Sequence, residues 1–155
     1  MAITAFRGRW TKLGNYSSCV VFYHGHAYQS VEHAYQAQKS LDPAIQKMIR
    51  DQPTPATAKK LARTVALRPD WDAVKIPLMR TLLLEKFSQE PERSVLLSTG
   101  DEELIEGNWW HDTFWGQCPL GTGENWLGRL LMEVRAMCHG DYIPDSEIDH
   151  ASQSI

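Results

Sequence analysis

No part of the 155-residue sequence carries an apolar run near the roughly 18–20 residues that a helix needs to cross a bilayer. The opening MAITAFRGRW also has no apolar core of the kind a secretory signal carries. Cysteine is scarce and odd in number. Cys19, Cys118 and Cys138 stand far apart and form no CxxC pair, so they give neither a disulfide framework nor a zinc pattern. Free thiols in a reducing compartment follow, and the expectation is a soluble, cytoplasmic protein with no membrane partner. A strong charge of one sign is missing as well. The net charge is −3, of which −4 comes from Asp141, Asp145, Glu147 and Asp149 near the C-terminus, leaving residues 1–140 at +1. A body so close to neutral is not a general nucleic-acid coat, although it leaves room for a local anion pocket.

Familiar site signatures are absent too. The run Gly121-Thr-Gly-Glu-Asn-Trp-Leu-Gly128 leads into a helix whose backbone N–H groups can hold a phosphate, but no GK[ST] follows and no GxGxxG occurs. No GxSxG elbow supports a serine hydrolase. His24 and His26 flank Gly25, and Cys138 precedes His139, yet no further ligand stands at a convincing spacing. No metal and no cofactor are expected. What the chain does have is 43% apolar residues, enough for one compact core, and six tryptophans. Tryptophan earns its place in a core or by stacking on a flat ligand, so the positions of these six matter.

The pattern predicts a predominantly helical α+β domain over residues 1–140, with a small N-terminal β element, and a disordered acidic tail over 141–155. Cys19–Tyr28 reads as a hairpin turning at His24-Gly25-His26. Ser30 caps a helix from Val31 to Leu41, and Asp42-Pro43 and Thr54-Pro55 open two more. Asp70 caps a longer helix over Trp71–Ser88, where Pro77 predicts a kink or a late start. Pro91 opens a short helix, Leu104-Ile-Glu106 forms a short strand, and 116–124 is a loop. Asn125 caps a last helix built on Leu127, Leu130, Leu131, Val134 and Met137.

Two segments carry chemistry-bearing residues. Glu32, Gln36 and Lys39 are spaced to share one helix face, an acid, an amide and an amine along a single wall. Taken alone, that face reads as a solvated Glu/Lys stripe with Glu32 complementing the helix dipole. The second segment, Glu106-Gly-Asn-Trp-Trp-His-Asp-Thr-Phe-Trp115-Gly116, alternates acids with large aromatics. It suits a flat ligand stacked beside a carboxylate, and equally a core-covering loop in which Asp112 caps a turn.

The order of these pieces resembles the NADAR, or YbiA-like, family. The resemblance rests on Gly14-Asn15-Tyr16, on Glu32-His-Ala-Tyr-Gln-Ala-Gln-Lys39, and on Trp71 with Lys75, Met79 and Lys86-Phe87. It continues through Leu104-Ile-Glu106, Asp112-Thr-Phe-Trp115-Gly116 and Gly123-Glu-Asn125-Trp-Leu-Gly128, and it covers about residues 5 to 138. Gly14 stands where the family has serine, Pro77 interrupts the stretch between Lys75 and Met79, and Gln117–Leu120 replaces a Gly-rich link.

This resemblance implies a hydrolase that cleaves N-glycosidic bonds. Its substrates are ribosylaminopyrimidine 5′-phosphate intermediates of riboflavin synthesis, or ADP-ribose carried on guanine in DNA or RNA. By position it assigns the functional acid to Glu32, with Trp71, Asp112 and Trp115 in the pocket and Asn15, Lys39, Lys86, Glu106 and Asn125 as company. In that reading Glu32 stabilises an oxocarbenium-like centre or activates water, and Asp112 or Glu106 protonates the departing base. A covalent variant has Lys39 or Lys86 attacking C1′. The competing reading is a binding module for ADP-ribose or a nucleotide, which would tolerate Glu32→Gln.

Overall fold

A computed structural model describes residues 1–140; the acidic segment 141–155 lies outside the described residues. In chain order the elements are β1 (Ala2–Ile3), a 3-10 helix (Gly8–Leu13), β2 (Val21–Tyr23), β3 (His26–Tyr28), α1 (Val31–Ala37), α2 (Pro43–Arg50), α3 (Pro55–Ala62), α4 (Trp71–Lys86), α5 (Glu92–Leu97), β4 (Glu103–Leu104) and α6 (Trp126–Cys138). The α+β class expected from the sequence is the one observed.

Local chemistry explains most boundaries. The β2–β3 hairpin turns on two residues rather than three, because His24 (φ 47°) and Gly25 (φ 80°) both take the left-handed conformation that matches strand twist, and His26 already pairs with Tyr23. Ser30 Oγ accepts from the His33 N–H at 3.1 Å, Asp42 accepts from Ala44, and Thr54 forms a reciprocal capping box with Thr57.

Three expectations need correction. Helix α1 stops at Ala37 instead of reaching Leu41, which is exposed. Asp70 makes no capping bond, since Arg68 takes its carboxylate at 2.6 and 2.9 Å. Asn125 is left-handed (φ 52°, ψ 43°) and caps nothing, its side chain being used elsewhere. Helix α4 starts at Trp71, as expected, and carries the exposed Pro77 inside it, so of the two expected effects of Pro77 the late start does not occur.

Helix α1 is the hub. All seven of its residues are buried, and it packs against α2, α3, α4 and both hairpin strands. Helix α6 closes the other side of α4 and seats on β4. At that contact a Cβ on Gly128 would overlap the Leu104 carbonyl oxygen and the Asn125 amide, so the absence of a side chain lets α6 approach the strand. Strand β4 pairs in parallel with β1, Ile3 opposite Leu104. The loop that follows β4 is thereby held against α1 and the start of α6.

Candidate active site

Glu32 sits in the first turn of α1, where its backbone N–H donates to the Asn15 carbonyl at 3.2 Å. Its Oε1 accepts from Gln36 Nε2 at 2.8 Å, one turn on. Glu32 is 6% exposed and Gln36 2%, so the stripe that read as a solvated face turns inward. Burial pushes the Glu32 carboxyl up; the Gln36 amide and the ammonium groups of Lys59 and Lys39 pull it back, and the Asp112 charge pushes it further up. Lys39 lies beyond the end of α1, its amine 5.7 Å from the Tyr35 ring centre and 5.8 Å from that of Trp71. Burial lowers its proton affinity, and Lys59, Arg63 and Lys75 lower it more while Glu32 opposes them.

Tyr35 was not singled out in the sequence, and it joins the two tryptophans that were. Its ring lies 5.0 Å from Trp71 and meets Trp115 edge-on at 5.5 Å, and its hydroxyl accepts from Trp115 Nε1 at 3.2 Å. The signal was its place one turn after Glu32 on an otherwise buried helix. Tyr35→Phe should cost roughly 1 kcal/mol, the net worth of one such bond, read by urea unfolding. It should also free Trp115 and raise KM.

The loop after β4 is closed by short bonds. Asn108 donates to the Asp112 carbonyl at 2.8 Å and accepts from the Asp112 N–H at 2.9 Å. Asp112 Oδ1 then accepts from the N–H groups of Phe114 and Trp115 at 3.1 and 2.9 Å, the turn-capping role foreseen for it. Asn125 uses both ends of its amide internally, accepting from Glu106 N–H at 3.0 Å and donating to Leu104 at 2.9 Å. It thus fixes the backbone that carries Glu106. Glu106 Oε2 is buried without a partner. Burial, reinforced by the charges of Asp112 and Glu32 and opposed by Lys86, pushes its carboxyl up to about 7.

Gly116 backs that carboxyl: a Cβ there would overlap the Glu106 carbonyl oxygen and press on Asn108 Nδ2 at 2.6 Å. Gly116→Ala should therefore shift Glu106 and cost activity about tenfold or more with little change in far-UV circular dichroism. A spectrum that collapses instead would make Gly116 a folding residue.

Lys86 lies deeper, wholly buried, donating to the Gly14 carbonyl at 2.8 Å and to Ser17 Oγ at 2.9 Å. Burial brings its ammonium down to about 8. It pins the turn from which Asn15 receives the Glu32 N–H. The Asn15 side chain makes only a 3.5 Å contact with Met79 Sδ, and its Oδ1 is buried without a partner. A cavity of about 560 Å3 lies between β1 and Thr99, away from these groups. A second, about 400 Å3, is bordered by Asn108, Trp109 and Arg7 at the rim of the Glu106 loop.

The NADAR domain family matches residues 6–139 of this chain, nearly the whole described body. The chain belongs to the NADAR family. Among its relatives, N-glycosidase Npun_R5314 of Nostoc punctiforme is 48% identical over 112 residues, covering 68% of this chain and 71% of that protein. N-glycosidase YbiA of Escherichia coli is 37% identical over 124 residues, covering 78% and 77%. A riboflavin biosynthesis protein of Vibrio vulnificus is 40% identical over 126 residues, 79% of this chain but 34% of that longer protein. The NMR structure of E. coli YbiA superposes on this NADAR domain with a TM-score of 0.79 at 31% identity, over 94% of this chain and 89% of that one. Among the described residues no helix is long and apolar enough to cross a membrane.

Proposed function

We propose that this NADAR domain is an N-glycosidase that breaks the bond between a base nitrogen and ribose C1′ in a phosphorylated ribosyl compound, with Glu32 as the working carboxylate and Glu106 as the proton donor. One observation carries the assignment of roles. Glu32 is buried, hydrogen-bonded by Gln36 and held in the field of Lys39 and Lys59, whereas the part-buried Glu106 keeps a buried, unpartnered Oε2 and holds its proton to about 7. Burial raises both carboxyls, and the partners that favour the charged form gather on Glu32, which assigns the base to Glu32 and the acid to Glu106.

The C1′–N bond then breaks with its electron pair passing to the base, which takes the Glu106 proton. Glu32 offsets the positive charge growing at C1′ and accepts a proton from the water that adds there. Trp71 and Trp115, set by Tyr35, shape the wall against which the base lies. Asp112 orders the loop, and Asn125 holds the backbone of Glu106. If the reaction passes through a covalent adduct, Lys39 is better placed than Lys86, whose amine is already spent on Gly14 and Ser17. Borohydride trapping of a Lys39-linked sugar would decide for that route.

Ribosylaminopyrimidine 5′-phosphates are the first substrate class to test, in line with relatives named as N-glycosidases and as a riboflavin biosynthesis protein. ADP-ribosylguanine in nucleic acid is the second, favoured by Trp109 and Trp110. Both are more than half exposed on the closed loop between Glu106 and Asp112, where a longer ligand leaving the site would run. Both classes are nucleotides of a reducing cytoplasm, in keeping with three free cysteines. The test is to incubate the protein with each and follow the free base or free ADP-ribose by mass spectrometry. Turnover of one fixes the class; binding without turnover makes the domain a reader.

A further inference from the structure

Behind the stretch that carries Glu106 lies the cavity of about 400 Å3, within the range of about 300–1,000 Å3 usual for small-molecule sites. Three pieces of chain wall it: Thr4, Ala5 and Arg7, the stretch from Ile105 to Trp109, and the turn from Gln117 to Gly121. Glu106 does not border it; its side chain lies instead against Gly116, where a Cβ would come within 3.1 Å of Glu106 Cγ. The backbone nonetheless joins cavity and carboxyl. Gln117 N–H donates to the Glu106 carbonyl at 2.8 Å, and the Gln117 carbonyl accepts from Asn108 N–H at 3.0 Å. Arg7 is the one charged residue on these walls, and no acid balances it there. It makes no ion pair among the described residues, although Arg68 and Arg80 both do. Among those residues, Arg7 and Gln117 spend only backbone groups on hydrogen bonds, so a guanidinium and an amide are left open to the cavity.

Trp109 completes the wall and is 69% exposed. An indole left in water forgoes the free energy that burial would give it. This one is held out by its neighbour: Asn108, 3% exposed, fixes both ends of its amide on the Asp112 backbone at 2.8 and 2.9 Å. A flat apolar face, a cation without a counter-charge and an open amide are together the parts that recognise a nucleotide. The base stacks on the indole, its edge meets the amide, and the phosphate meets the guanidinium fork. We propose that this cavity binds a nucleotide, its base on Trp109 and its phosphate on Arg7, as a second site beside the one that cleaves. The nucleotide is free or is one unit of a nucleic-acid strand, and the recognition is the same in both. This site goes beyond the glycosidase reading and does not depend on it, because binding alone reports it.

The test is calorimetry with 5′-AMP, adenosine and a short single-stranded oligoadenylate on the wild-type chain, Trp109→Ala, Trp109→Phe, Arg7→Ala, Arg9→Ala and Glu32→Gln. Arg9 is the control arginine: it lies 4.3 Å over the Trp10 ring and borders the other cavity, not this one. The wild type should bind 5′-AMP about tenfold or more better than adenosine, which lacks the phosphate. Trp109→Ala and Arg7→Ala should each weaken 5′-AMP by about tenfold or more, whereas Trp109→Phe, which keeps a stacking face, and Arg9→Ala should change it little. Melting temperatures should hold, since Trp109 and Arg7 are both exposed. Oligoadenylate binding tighter than 5′-AMP assigns the cavity to a strand, and binding no tighter assigns it to a free nucleotide. If the wild type binds neither, or if both alanine variants bind as it does, the proposal is overturned. Glu32→Gln should bind 5′-AMP like the wild type; loss of binding there would put the nucleotide in the cleaving site and overturn the proposal as well. A failed glycosidase assay leaves each of these results as it stands.

Discussion

Glu32→Gln should lower kcat by about 10²–10³-fold or more while leaving the chain folded and able to bind substrate. The substitution keeps the shape and the bond to Gln36, which sees an amide oxygen as readily as a carboxylate oxygen. It removes the one negative charge that faces Lys39 and Lys59 from within the helix. Stability should hold or rise, because burying an ionised carboxyl at this position costs free energy that an amide does not. Single-turnover kinetics beside a thermal melt would check both halves. A variant that binds and turns over like the wild type would make Glu32 a structural residue and the domain's acid would have to be sought elsewhere.

The helices were legible in the sequence wherever a side chain near the boundary decides it. Ser30, Asp42 and Thr54 place three helix starts correctly because each satisfies a backbone donor that nothing else reaches. Asp70 and Asn125 failed as caps for one reason: another group claimed their side chains. Arg68 holds the first, and the β4 backbone holds the second. Strand β1 and the 3-10 helix before the hairpin left no trace in the pattern. Two residues show no alternation, and β1 exists only through its pairing with Glu103 and Leu104, a hundred residues away.

The site was legible in part. Spacing alone put Glu32, Gln36 and Lys39 on one face, but it could not say that α2, α3 and α4 would cover that face. Family resemblance supplied Trp71, Asp112 and Trp115. Tyr35, the residue that binds the two tryptophans into one wall, needed the packing of the helices to be seen. Division of labour between Glu32 and Glu106 was illegible, because it depends on which carboxyl finds partners once both are buried.

The pH behaviour of Glu106 should show that division directly. Its carboxyl ionises at an ordinary 4.5 in the unfolded chain and at about 7 in the fold. Between those values the folded chain keeps a proton that the unfolded chain has released, so stability falls as pH rises through that window. Above it the whole cost is present, about 3 kcal/mol at 1.36 kcal/mol per pH unit. Glu106→Gln should remove that slope and raise the melting temperature at pH 8 by several degrees while leaving it little changed at pH 5. The same substitution takes away the proton donor. The wild-type kcat/KM should fall above about pH 7 as Glu106 ionises, whereas the variant should be slower by about 10²–10⁴-fold at pH 6 and show no such fall. A variant that is stabilised at pH 8 but keeps the alkaline limb would leave the buried charge in place as a fact and take the proton-donor role away from Glu106.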